Sequence, residues 1–238
     1  MKTAQERAEE PPGRMLNGKS SPNGVTHPNH TPATSLLQSR QNRERSKFHV
    51  SERSLEFLKK YYPDATIDEW NDWRWQNRNR VRTLADLERM IDLSPDELGA
   101  IKRHTGALPL GIVPYYASLL DPKDPMQGLR RTVVPVLGEF DTSRGENEDP
   151  LGEDSHSPVP GLVHRYPDRV LLLVTNFCSV YCRYCTRARM VGSVGERAVR
   201  KTDIEVALDY IEQNTVIRDV LISGGGPLSL DDDRLEYI

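Results

Sequence analysis

From Arg169 the chain runs Val-Leu-Leu-Leu-Val-Thr175 with no charged interruption, the pattern of a strand buried on both faces as in a parallel sheet. Farther on, Ile204, Ala207, Leu208 and Ile211 recur at helical spacing behind Thr202, which is placed to cap them. Asp219-Val-Leu-Ile-Ser223 then reads as a second strand, and Asp231 precedes a further helix that opens Asp-Asp-Arg-Leu235. Strand, helix and strand make one βαβ unit, so the fold class predicted is α/β. A second unit has only begun at Ile238. Two strands are too few to close a barrel or to cover a parallel sheet, and the expectation is the N-terminal part of a larger fold.

Upstream the pattern changes. Thr66-Ile-Asp-Glu69 has the form of a capping box, and it opens a segment in which Trp70, Trp73, Val81 and Leu84 are predicted to share one helical face. Ser94-Pro95-Asp-Glu97 repeats the signal, with proline in the first helical position. Residues 48–120 therefore read as a helical region, with the tryptophans as packing anchors. Between 121 and 163 the many Pro, Gly, Asp and Glu residues predict a connector. There Leu129–Leu137 is the candidate for a short strand, kept from a sheet interior by Pro135. Residues 1–47 carry only isolated apolar positions such as Leu36 and Leu37. Such a stretch buries too little apolar surface to offset its ordering entropy, and it reads as a disordered tail.

Composition narrows the classes of function. Hydrophobic residues make up 37% of the chain and the formal net charge is −3, with a mean hydropathy of −0.62 and a pI near 6.1. Nothing in that balance argues for a nucleic-acid surface or a membrane, and no apolar run approaches the roughly 20 residues of a span. The N-terminus also lacks the apolar core of a secretory signal. The expectation is a cytoplasmic protein with reduced thiols.

Its three cysteines all lie in Cys178-Ser-Val-Tyr-Cys182-Arg-Tyr-Cys185. Three thiolates on one short loop suit three corners of an iron–sulfur cube and leave the fourth iron open to a small molecule. The alternatives are buried structural cysteines, which are more often scattered, and a zinc site. Zinc usually takes four ligands, and the histidines at hand, His156 and His164, both precede the loop. The loop directly follows the first strand, where open α/β folds and barrels place their active sites. Ser223-Gly224-Gly225-Gly226 ends the second strand, and glycines there either let the backbone approach a ligand or simply make a tight turn. Arg165, Tyr166 and Arg169 flank the start of the first strand, as a phosphate site or as a solvated strand entry.

The run from His164 to Gly192, with CxxxCxxC at its centre, resembles the lysine 2,3-aminomutase family of the radical S-adenosylmethionine (SAM) superfamily, and Trp70-Asn-Asp-Trp73-Arg-Trp75-Gln76-Asn-Arg-Asn-Arg80-Val resembles the same family's N-terminal signature. That resemblance covers about residues 50 to 238. It implies a helical N-terminal region followed by the first βα units, from 164 to 238, of a partial (β/α) radical SAM barrel. It also implies a [4Fe–4S] cluster on Cys178, Cys182 and Cys185, SAM held by Ser223, Gly224 and Gly225, and pyridoxal 5′-phosphate held by Arg165, Tyr166 and Arg169. Arg187 corresponds to the arginine that pairs with the substrate carboxylate. Gly226 departs from the family, which carries an acidic residue there. The family's Schiff-base lysine has no counterpart in this sequence, since Lys201 lies in no matching context, so no catalytic residue is assigned and the chain alone is expected to be inactive. The activity implied is conversion of L-lysine to β-lysine by an isomerase that needs a reducing electron donor and forms a homo-oligomer. Glutamate, arginine and a protein lysine are the other substrates this family admits. From a different class, the chain would be a non-catalytic iron–sulfur or zinc-binding module.

Overall fold

In the computed structural model, which describes residues 50–103, 108–192 and 199–238, Ser51 opens the first helix. Its hydroxyl accepts the Ser54 N–H at 3.2 Å, and α1 runs over Glu52–Tyr61. The tail expected over residues 1–47 lies outside the described residues, all of which belong to the unit Phe48–Ile238. Thr66 and Glu69 form the capping box that the sequence predicts, at the head of α2 (Ile67–Trp70). The single helical face expected to follow is broken, however. Asp72 accepts the Arg74 N–H and starts a new helix, α3 (Trp73–Arg78), and Thr83 caps a third, α4 (Leu84–Glu88). As a result Trp70 packs with Trp75, ring centroids 6.1 Å apart, while Trp73 is 39% exposed beneath the Arg74 guanidinium. Val81 leaves the helices altogether and exchanges backbone hydrogen bonds with Ile112.

The second capping box forms as well. At the head of α5 (Pro95–Arg103) the Ser94 N–H donates to Glu97 Oε2 at 2.8 Å, and the Glu97 N–H donates to Ser94 Oγ at 3.3 Å. Two short helices follow, α6 (Pro114–Ala117) and α7 (Gly128–Arg131). No strand forms over Leu129–Leu137: α7 takes its first residues and a 3₁₀ turn starts at Leu137. Val133 and Val134 instead enter the core built by Val81, Leu87, Met90, Ile91, Ile112, Ala117 and Leu120, so apolar burial overrides the strand propensity of the valines.

Under that core lies an ion pair that nothing in the local sequence announces. Arg130, fully buried, donates from Nε and Nη2 to the two carboxylate oxygens of Glu97 at 2.8 and 2.7 Å. Its remaining reach goes to the carbonyls of Asp121 (3.0 Å) and Asp92 (2.7 Å). Burial alone would raise the Glu97 pKa, but the hydrogen bonds from Arg130 and Ser94 and the guanidinium charge outweigh it and hold the carboxyl below the usual range.

A three-stranded sheet follows, in the order β1-β2-β3. The segment from His164, read as the entry to the first strand, is itself mostly strand: β1 covers Leu162–Tyr166 and pairs antiparallel with β2 (Arg169–Thr175). Pro167 and Asp168 form the turn between the paired Tyr166 and Arg169; Pro167, without an N–H, suits such a turn. β2 then pairs in parallel with β3 (Asp219–Gly224) through α8 (Lys201–Gln213), which is the βαβ unit expected. Thr202 lies inside the first turn of α8 and does not cap it. Arg200 holds the cap position, and its N–H donates to the Asp203 carboxylate at 3.2 Å. Asp231 caps α9 (Asp232–Tyr237) as predicted. Leu162, Val170, Leu172 and Val174 of the sheet bury against Ala207 of α8 and Leu230, with Leu235 beside them. The result is a mixed α/β fold whose central strand points its C-terminal end at the cysteine loop.

Candidate functional site

Beyond Thr175 the backbone stops pairing as a strand and becomes a loop tied down from several sides. The Phe177 N–H turns back to Thr175 Oγ1 at 3.1 Å. Tyr181 N–H donates to the Gly111 carbonyl at 2.9 Å and Arg183 N–H to the Thr132 carbonyl at 2.8 Å. Glycine is required at 111, because a Cβ there would stand 2.6 Å from the Tyr181 ring. Cys178, Cys182 and Cys185 are free thiols, each half-buried; Cys178 and Cys185 pack beside Leu108, Tyr181 and Val191. Burial, with the neighbouring thiols adding to it, pushes the Cys178 pKa up to about 11, so a thiolate there needs a cation to hold it.

Among the described residues no three His, Cys, Asp or Glu side chains converge around a single ion. A tetrahedral zinc ion, with bonds of about 2.3 Å, draws its sulfurs together, whereas a cube takes one thiolate per iron and leaves them farther apart. Cys178, Cys182 and Cys185 offer three free thiols on one loop as potential donors. Arg80 also reaches this loop. Its Nη1 donates to the Cys178 carbonyl at 2.6 Å, while its Nε is buried with no hydrogen-bond partner.

The glycine end of β3 lies against the same loop. Gly225 N–H donates to the Thr175 carbonyl at 2.6 Å and Gly226 N–H to the Phe177 carbonyl at 2.7 Å. Gly224 has φ +112°, a conformation that disfavours a side chain. A Cβ would stand 2.3 Å from Thr175 O at Gly224 and 2.2 Å from Phe177 O at Gly225. Gly226 differs, since a Cβ there meets nothing nearer than 3.8 Å. Ser223, Gly224 and Gly225 are thus brought to the cysteines. Next to them a cavity of about 310 Å³ is lined by Thr175, Asn176, Phe177, Ser229, Asp231 and Arg234, among others. A larger one, of about 430 Å³, lies among the N-terminal helices and has no cysteine-loop residue in its wall.

Arg187 reaches back to the connector, where its Nε and Nη2 donate to the Glu153 carboxylate at 2.6 to 3.1 Å. Glu153 is itself buried. Arg189 pairs with Asp149 and Asp154 at 3.2 and 3.0 Å, so the two arginines pin residues 149–154 to the cysteine loop. Arg165, Tyr166 and Arg169 are grouped too, with both guanidinium groups within 6 Å of the Tyr166 ring centre. They stand at the β1–β2 turn, however, and Arg169 also pairs with Asp168 at 3.1 Å. At about 3.3 Å per residue, the length of β2 separates them from the cysteines by roughly 20 Å.

No family model matches the chain. Among curated proteins, the L-lysine 2,3-aminomutase of Bacillus subtilis (strain 168) is 50% identical over 177 residues, which is 74% of this chain and 37% of that protein. Over its matched residues the chain is similar to L-lysine 2,3-aminomutases. The L-lysine 2,3-aminomutase of Clostridium subterminale is 46% identical over 177 residues, 74% of the chain and 42% of the relative. The glutamate 2,3-aminomutase of Clostridioides difficile (strain 630) is 38% identical over 175 residues, 74% of the chain and 41% of the relative. The chain therefore spans 37% to 42% of the length of these aminomutases. Arg80, Gly111, Glu153 and Glu139, whose carboxylate accepts from Arg183 Nε at 3.0 to 3.1 Å, brace the cysteine loop, yet the sequence alone assigns none of them a role there. Arg80 stood inside the Trp70–Val81 signature, but no local pattern shows that a side chain reaches a loop 98 positions away.

Proposed function

We propose that this chain carries the cluster- and SAM-binding part of a radical SAM amino acid 2,3-aminomutase, an isomerase that converts L-lysine to β-lysine. The carrying observation is the backbone contact of Gly225 and Gly226 with Thr175 and Phe177, which sets a glycine turn beside three thiols at the C-terminal end of a buried strand. Cys178, Cys182 and Cys185 would hold the [4Fe–4S] cluster, and the backbone of Ser223, Gly224 and Gly225 would face SAM. When bound, these groups supply one-electron chemistry for hydrogen removal, and pyridoxal 5′-phosphate supplies a place to spread the unpaired electron. Arg165, Tyr166 and Arg169 have the donors for a phosphate, but they stand at the far end of β2 and no step is routed through them.

Arg187 is the group proposed to meet the substrate. Glu153 takes Nε and one side of Nη2, and the fork keeps further N–H bonds for an α-carboxylate. Fixing the guanidinium in this way would orient the amino acid ahead of reaction. A second reading, glutamate as substrate, is supported by the glutamate 2,3-aminomutase among the relatives; an α-carboxylate is common to both amino acids. The barrel reading is supported by β3, whose Val220, Leu221 and Ile222 are apolar yet 42% to 65% exposed, as an edge awaiting cover. Among the described residues no helix is long and apolar enough to cross a membrane, and a cytoplasmic setting is part of the proposal. A homo-oligomer and an external electron donor complete the proposal.

Low-temperature electron paramagnetic resonance (EPR) of the anaerobically reconstituted, reduced chain tests it. The expected result is a [4Fe–4S]⁺ signal that changes shape on addition of SAM. One zinc and no acid-labile sulfide would overturn it in favour of the binding module. Because Gly226 has room for a Cβ, Gly226→Asp is expected to tighten the SAM response by about tenfold, through a charge-assisted bond to an amino group. SAM titration of the EPR change measures it, and an unmoved midpoint would reject the idea.

A further inference from the structure

Arg80 lies just beyond α3, in the N-terminal helical region, yet its side chain ends at the cysteine loop. Its guanidinium sits over the Phe177 ring at 4.4 Å and over the Tyr181 ring at 5.2 Å from the centroids. These are the residues immediately before Cys178 and Cys182. Nη1 donates to the Cys178 carbonyl at 2.6 Å, and Nε is buried without a partner. No carboxylate pairs with Arg80 among the described residues. By contrast Arg183, Arg187 and Arg189, the loop's own arginines, are each neutralised by Glu139, Glu153 or Asp149 and Asp154.

We infer that Arg80 is a positioning residue that fixes the Cys178 corner of the cluster and supplies the site's uncompensated positive charge, raising the cluster's reduction potential. This rests on the cluster reading above and deepens it. The physical reason is one of sign. Reduction adds an electron to an already anionic cluster, so a nearby fixed cation favours the reduced state. A donor N–H directed at a thiolate or sulfide acts the same way, since net charge and hydrogen bonds to sulfur both set such potentials. The aromatic faces hold the cation where water solvates it poorly, which strengthens its field.

The test is a redox titration of the reconstituted full chain, followed by EPR, with iron and sulfide content and circular dichroism measured in parallel. Arg80→Gln removes the charge and keeps a donor; Arg80→Lys keeps the charge and loses the planar fork. Expected for Arg80→Gln is an approximately tenfold fall in the reduced-to-oxidised ratio at fixed solution potential, about 59 mV for one electron. Arg80→Lys is expected to restore most of that shift. Loss of iron from Arg80→Gln with an unchanged dichroism spectrum would also support the assignment, through the Cys178 contact. A variant that keeps both its cluster and the wild-type potential would overturn it while leaving the cluster reading intact. Absence of a cluster from the wild-type chain would overturn both.

Discussion

Gly225→Ala is expected to weaken the response of the cluster to SAM by at least about tenfold while leaving the cluster itself assembled. The three thiols stand on the loop after β2, and none depends on a side chain from β3. What β3 contributes is backbone laid directly on that loop. An added Cβ at 225 would stand 2.2 Å from the Phe177 carbonyl and 2.9 Å from its nitrogen, and both obstacles are main chain that no rotamer change can move. The turn must lift away, breaking the 2.6 and 2.7 Å bonds that join it to Thr175 and Phe177 and withdrawing the backbone proposed to face SAM. Overpacking of this kind typically costs about 1 to 3 kcal/mol, so the fold survives while SAM binding weakens by at least about tenfold. EPR with and without SAM reads both properties from one sample. A Gly225→Ala chain that still responds to SAM at wild-type concentrations would show that the glycine turn does not bear on the ligand.

Arg130→Met is expected to cost the unit about 3 to 5 kcal/mol, the usual penalty for stranding one member of a buried ion pair. Without the guanidinium, the Glu97 carboxylate remains 2% exposed with no countercharge, and the carbonyls of Asp92 and Asp121 lose a donor each. Domains of this size lose roughly 2 to 4 °C of melting temperature per kcal/mol, so a fall of about 10 °C is expected in thermal melts followed by circular dichroism. Arg130→Met with Glu97→Leu should recover a large part of it, because removing both charges removes the stranded one. A single variant that melts with the wild type would refute the assignment. Acid should reproduce the effect in part. Glu97 titrates below its ordinary range in the folded chain, so its contribution is fully present above the unfolded-state pKa, about 4.3. That contribution is lost as pH falls through the lower folded value.

How much of this was legible beforehand follows from the range of each interaction. The capping boxes at Thr66 and Ser94, the apolar run of β2, α9 behind Asp231 and the clustered cysteines depend on neighbours within a few residues, and the sequence shows them directly. Arg130 and Glu97 are 33 positions apart and Arg183 reaches Leu108 across 75, so neither partner marks the other. The tryptophans misled for a related reason: helical spacing was read through Asp72, whose preference for capping divides the segment. β1 was missed because its burial fades from Leu162 to an exposed Tyr166, leaving no clean alternation. Thr202 was a plausible cap, but the Asp203 carboxylate at the third helical position serves the backbone N–H of Arg200 three residues before it.

The tethering of the cysteine loop also bears on when metal can arrive. Its geometry is set by Gly111, Thr132, Leu108 and Arg80, all of which leave the ribosome well before Cys178. Contacts of such long sequence separation form late in folding, because their loop-closure entropy must be met first. The shape of the cysteine loop is therefore completed only once the helical layer has docked against it. On the proposed cluster reading, iron and sulfide are therefore expected to enter the refolded chain more readily than the unfolded one, which reconstitution before and after refolding would measure.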